Sequence, residues 1–241
     1  VATVILLRHA RSTANGAAVL AGRQPGVALD DTGVEQAATL PGRLAEVPLA
    51  ALVTSPLERC QQTLQPLAAA RGLTPVVEPE LAEVDYGDWT GKALKELVDE
   101  PLWRVVQQHP SAAVFPAGEG LAAVQARAVA ALRAQDARIS AEHGPDSVWV
   151  ACSHGDVIKA VLADALGAHL DSFQRIVVDP CSVSVVRYTE TRPFVLRIND
   201  NGGDLSGLVP PKPSSDGAQE GADAARTGES DAVIGGTTGT A

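Results

Sequence analysis

Short apolar runs alternating with longer stretches of helical period dominate this chain and leave it few ways to fold. Runs 4–7, 52–54, 76–77 and 148–151 read as strands, and the segments near 33–46, 57–70 and 119–142 between them carry helical patterns. Strands separated by helices must cross over and lie parallel. The expected fold class is therefore α/β, three layers (α/β/α) around a mostly parallel central sheet. A last pair of runs, 182–188 and 194–198, predicts a hairpin turning at 189–192. Two helix starts are expected from capping-box spacing, Thr32 with Glu35 and Ser55 with Glu58, the second with Pro56 at the first helical position. Arg59 then falls in the first turn of a helix that follows a strand directly, where backbone N–H groups and the helix dipole favour an anion.

With 241 residues and 45% hydrophobic content, one sizeable core is expected rather than two. Residues 1–201 form the predicted folded domain. Residues 202–241 hold 9 of the 22 glycines, no aromatic, and six acidic residues against two basic; they are read as a disordered tail with a stiff lead-in at Pro210, Pro211 and Pro213. The apolar run at 4–7 is cut short by Arg8, too short for a signal core or a membrane span, and a cytoplasmic protein with no membrane partner is expected. A net charge of -10 opposes bulk attraction to nucleic acid, and three Trp, two Tyr and three Phe leave no set of stacking platforms for single strands. Cys60, Cys152 and Cys181 lack CxxC spacing and read as small buried hydrophobes, not a disulfide framework or a zinc ribbon.

Two of the strands run straight into a histidine, His9 after the first and His154 after the run at 148–151. Ligands of open α/β sheets bind outside the carboxyl ends of the strands, so both imidazoles are expected in one crevice, with Arg8 and Arg59 beside them. Any anionic ligand of so acidic a chain must be drawn by such a local cluster. A metal site on the two histidines has no carboxylate or thiolate at ligand spacing to complete it. His109, His143 and His169 read as loop or cap residues, and Trp89 and Trp103 as packing.

The run Arg8-His9-Ala10-Arg11-Ser12-Thr13-Ala14-Asn15 resembles the Arg-His-Gly-x-(Ser/Thr)-x-x-Asn signature of the histidine phosphatase superfamily, the phosphoglycerate mutase-like group. Leu29 to Ala37, Thr54 to Thr63, Leu81 to Gly91 and Ser153-His154-Gly155 resemble its further segments in the same order. The resemblance implies a phosphohistidine formed on His9, oxygens of the phosphate held by Arg8, Asn15, Arg59, His154 and Gly155, and a proton donor at Glu83, with Asp85 and Asp88 as alternatives. The chemistry fits those types. A phosphomonoester repels an anionic nucleophile but admits a neutral imidazole, guanidiniums fork onto its oxygens, and a basic leaving alkoxide needs a proton.

Two positions depart from the pattern. Ala10 stands for glycine, tolerable if the backbone angle is ordinary, and Arg11 adds a cation that either reads a second acidic group or points to solvent. The implied activity is a phosphomonoester hydrolase for a small phosphorylated metabolite, metal-independent and without cofactor, best at acid to neutral pH, in a chain able to form a homodimer. The 70 residues between Glu83 and His154 leave no room for a large insertion, which weighs against the alternative of a phosphoglycerate mutase-type enzyme. A non-catalytic phosphate-ligand-binding regulator is the other alternative. Specificity is expected from segment 91–121.

Overall fold

The computed structural model describes residues 2–203 and Ile234. In chain order these residues form β1 (Thr3–Arg8), α1 (Thr13–Gly16), α2 (Asp31–Arg43), β2 (Leu49–Thr54), α3 (Glu58–Arg71), β3 (Val76–Val77), α4 (Leu94–Leu97), α5 (Pro101–Gln108), α6 (Leu121–His143), β4 (Val148–Ser153), α7 (Gly155–Ala165), β5 (Val183–Arg187) and β6 (Phe194–Asp200). The six strands make one sheet in the order β3-β2-β4-β1-β5-β6. The first four are mutually parallel; β5 runs antiparallel to β1, and β6 to β5, as the expected hairpin.

Alternation along the strands builds the layers. Ile5 and Leu7 of β1, with Val150 and Cys152 of β4, face Ala37, Leu40, Leu64 and Leu67 of α2 and α3. Val4, Leu6, Trp149 and Ala151 face the other way, onto Val124 and Leu132 of α6 and Val157 and Val161 of α7. Each such side chain, fully buried, contributes about 1.5–3 kcal/mol. The predicted three-layer α/β/α arrangement is what these residues form. The three cysteines are free and buried among them.

Both predicted capping boxes are wrong in detail. The side chain of Asp30, not Thr32, caps α2, accepting from the Gly33 N–H at 2.8 Å. α3 starts at Glu58 behind Leu57, without a side-chain cap, and Pro56 lies outside it. In each case tertiary partners took the hydroxyl. Thr32 accepts from Arg11, and Ser55 is bonded to His154. Gly33 is required where it stands, because a Cβ there would come within 1.9 Å of the Arg11 carbonyl oxygen. α7 escapes a pattern search because ten of its eleven residues are buried, which erases the polar face that a helical period needs.

The tail expected over 202–241, with its proline lead-in, lies outside the described residues apart from Gly202, Gly203 and Ile234. Among the described residues no helix is long and apolar enough to cross a membrane.

Candidate active site

β1 and β4 are paired in register, Arg8 opposite Ser153, so the residues that follow them leave the sheet side by side. The His9 N–H donates to the Ser153 carbonyl at 2.9 Å, and the rings of His9 and His154 stand 5.2 Å apart, edge to face. Ala10 keeps an ordinary backbone, with no positive φ, and donates its N–H to Thr63 Oγ1 on α3.

The hydrogen bonds decide the tautomers. His9 Nδ1 lies 2.8 Å from the Ala10 carbonyl oxygen, which can only accept, so Nδ1 carries the proton and Nε2 the lone pair. Arg59 Nε donates to that Nε2 at 3.3 Å. On His154, Arg59 Nη2 lies 3.2 Å from Nδ1, so Nδ1 is the acceptor and Nε2–H is left to donate to Ser55 Oγ at 2.8 Å. Burial first, then Arg59, holds both imidazoles well below the usual histidine range; Arg8 adds to this at each, and each ring is neutral. The 3.9 Å separation of His154 Nδ1 from Glu83 Oε2 is therefore not an ion pair.

Glu83 is 4% exposed and its carboxyl is pushed up to about 7, by burial first and then by Asp156, against the pull of Arg59, the Val84 N–H and Arg8. Its backbone carbonyl accepts from Arg23 and Arg127, two arginines that both pair with Glu119, while Glu119 also accepts from the Asp85 N–H. Of the three candidate acids, only Glu83 approaches the histidines. Asp85 Oδ1 accepts from the Gly87 N–H, and Asp88 is exposed.

Arg59 sits in the first turn of α3 and is 2% exposed. Its Nη2 also donates to the Gly22 carbonyl, and its Nη1 is buried with no hydrogen-bond partner among the described residues. A buried guanidinium donor without an acceptor is costly unless a ligand supplies one. Arg8 is fully buried, with Nη1 on the Val178 carbonyl at 2.7 Å. Burial lowers its pKa to about 10, opposed by Glu83, Asp179 and Asp156, and it stays charged at neutral pH.

Between these groups lies a cavity of about 30 Å³, with His9, Asn15, Arg59 and Glu83 among the residues that line it. Arg8, His154 and Gly155 are not among its lining residues. Asn15 Oδ1 accepts from the Ser12 N–H and hydroxyl as part of the cap of α1, which assigns its amide nitrogen to the role of donor. Of the segment expected to set specificity, only Leu94 lines the cavity; Phe115 packs edge to face on Tyr86 and Trp89. Arg11 neither faces solvent freely nor reaches the cavity. It pairs with Asp30 at 3.3 Å and braces the start of α2.

Sequence reasoning missed Ser55 as the partner of His154 because the same residue type and spacing also signal a helix cap. It also missed Asp156, on α7, which accepts from the Tyr86 hydroxyl at 2.8 Å and from Lys159 at 3.2 Å and adds negative charge near Glu83. Among the described residues no group of three His, Cys, Asp or Glu is placed to hold a metal ion.

A parallel pair of strands ending in two neutral imidazoles around one guanidinium is suited to a tetrahedral anion such as a phosphoryl group, and so to a phosphatase. Comparison with known proteins narrows this. The family model of the histidine phosphatase superfamily (branch 1) matches residues 4–201, and the chain belongs to that family. It is 31% identical over 202 residues to Phosphoserine phosphatase 1 of Hydrogenobacter thermophilus, over 81% of this chain and 91% of the relative. It is 29% identical over 212 residues to a Yersinia pestis protein named "Probable phosphoglycerate mutase GpmB", over 86% of this chain and 95% of that one. Among solved structures, the alpha-ribazole phosphatase from Shigella flexneri superposes with a TM-score of 0.70 at 26% identity, over 83% of this chain and 96% of that one. A mycobacterial glucosyl-3-phosphoglycerate phosphatase shares the fold, with a TM-score of 0.74 at 24% identity over 82% and 98% of the chains. The protein is accordingly an enzyme, a phosphatase of this superfamily.

Proposed function

We propose that the protein hydrolyses phosphomonoesters of small metabolites through a phosphohistidine on His9. One observation carries the reading: His9 is neutral, with Nδ1 tied to a carbonyl and its Nε2 lone pair facing Arg59 Nε, while the same buried guanidinium keeps Nη1 without a partner among the described residues. Nε2 attacks phosphorus in line with the ester oxygen, and the P–O bond breaks as Glu83 passes its proton to the leaving alkoxide. A water then attacks the phosphohistidine, its proton returns to Glu83, and the P–N bond breaks to release inorganic phosphate.

Arg59 Nη1 and the Asn15 amide hold the non-bridging oxygens at the cavity wall. Arg8 and the N-terminus of α7 at Gly155 add positive field, and His154 adds to it once it takes a proton. When a dianion enters, its charge offsets that of the arginines, and His154 Nδ1, facing Arg59 and Glu83, is the atom on which a proton would settle.

The test is turnover of p-nitrophenyl phosphate in chelator, together with acid quenching of enzyme exposed to labelled substrate. Chelator-resistant hydrolysis with label on histidine, lost in His9→Ala, is expected. Label on serine or cysteine would overturn the role of His9, and loss of turnover on chelation would overturn metal-independence. Isomerisation of a phosphoglycerate without net phosphate release would transfer the same core chemistry to a mutase.

The net charge of -10 supports a protein without nucleic-acid partners, and we place it in the cytoplasm without a cofactor. The outer strand β6 leaves Phe194, Leu196 and Ile198 exposed, which supports a homodimer that sedimentation would detect.

A further inference from the structure

The lining of the cavity beside His9 is of two kinds: polar groups, among them His9, Asn15, Arg59 and Glu83, and apolar residues that include Val19, Leu20, Leu94 and Ile234. Ile234 lies beyond residues 4–201, to which the family model extends, yet it is only 1% exposed and belongs to the same hydrophobic cluster as Leu20, Tyr86 and Leu97. Thirty residues separate it from Gly203.

With Ile234 in place the cavity measures about 30 Å³. The cavity is narrow, so the bulk of each residue that lines it, Ile234 included, bears on the size of the alcohol that can stand beside the phosphoryl group. The other apolar lining residues lie within the family-matching residues, in and after α1 and at the start of α4. Ile234 alone among them lies outside those residues, and it offers the substrate bulk without a hydrogen bond.

We infer that Ile234, carried into the catalytic cavity from beyond the catalytic domain, is a specificity-determining residue that limits the size of the alcohol group of the substrate. The inference rests on the phosphatase reading above. The side chain packs against the leaving group of a small ester, and a larger ester must displace it.

The experiment compares full-length wild type, Ile234→Ala and Ile234→Phe for kcat/KM on p-nitrophenyl phosphate and on ethyl phosphate, with thermal melts of each. The ratio of aryl to ethyl activity is expected to rise roughly tenfold in Ile234→Ala, mainly through KM, and to fall in Ile234→Phe. A general loss of folding would lower both activities and move both variants the same way, so opposite movement isolates the effect of size. Hydrolysis of the aryl ester by Ile234→Ala but not by wild type supports the inference in its extreme form. Active proteins whose ratios are equal, or move together, overturn the role of Ile234 and leave the phosphatase reading intact. Absence of hydrolysis in all three overturns the phosphatase reading, and this inference with it.

Discussion

Replacing Glu83 by glutamine should stabilise the protein at alkaline pH while damaging catalysis, and the size of the gain follows from where the carboxyl sits. Burial and Asp156 raise its pKa from the ordinary 4.5 to about 7. Between those values the native state keeps a proton that the unfolded chain has released, so the unfolding free energy falls as pH rises. Across that window the loss is at most about 3 kcal/mol; it is absent below about pH 4 and complete above about pH 8. Glutamine has the same shape and no proton to lose. Urea unfolding of both proteins at several pH values from 4.5 to 8.5 measures the difference, in which the other titrating groups largely cancel. Glu83→Gln should gain on wild type steadily with pH, until its midpoint leads by about 1 M more than at pH 4.5. Two curves that stay parallel across this range would refute the raised pKa, and with it the claim that the donor is protonated near neutrality.

The other expectations follow from the same geometry. Hydrolysis of alkyl phosphates should fall above about pH 7 as Glu83 loses its proton, while aryl esters, whose leaving groups need less help, should decline much less; identical profiles for both would remove Glu83 from the role of donor. Arg59→Lys keeps a charge but loses the fork that reaches both histidines and the cavity, and kcat/KM should drop by about 10²–10³ in steady-state assays. Gly33→Ala forces a Cβ against the Arg11 backbone and should lower stability by more than about 2 kcal/mol in denaturant melts, because backbone on both sides must shift.

Legibility was uneven for reasons visible in single residues. β1 and β4 were readable because a buried parallel strand must be a short, continuous apolar run, and the histidine that ends each could be counted off the chain. Arg59 was readable for the same reason, one turn after β2. The helix boundaries were not, since Asp30, Thr32 and Ser55 are all good caps and only the finished fold says which hydroxyl has a better partner elsewhere. Glu83 could be separated from Asp85 and Asp88 only by a family resemblance; in space the distinction is plain.

By itself, the order of residues determined the class of the fold, the pairing of two imidazoles at the carboxyl ends of neighbouring strands, and the guanidiniums beside them. Period, strand length and nearest-neighbour chemistry are local properties. The tertiary structure alone decided which ring nitrogen carries each proton, that the Glu83 carboxyl is held near neutrality, that Arg8 and His154 do not line the cavity, and that Ile234 does. Those properties depend on desolvation and on contacts between residues as far apart in the chain as Leu20 and Ile234 in a densely packed interior, and such contacts exist only once the chain has closed on itself.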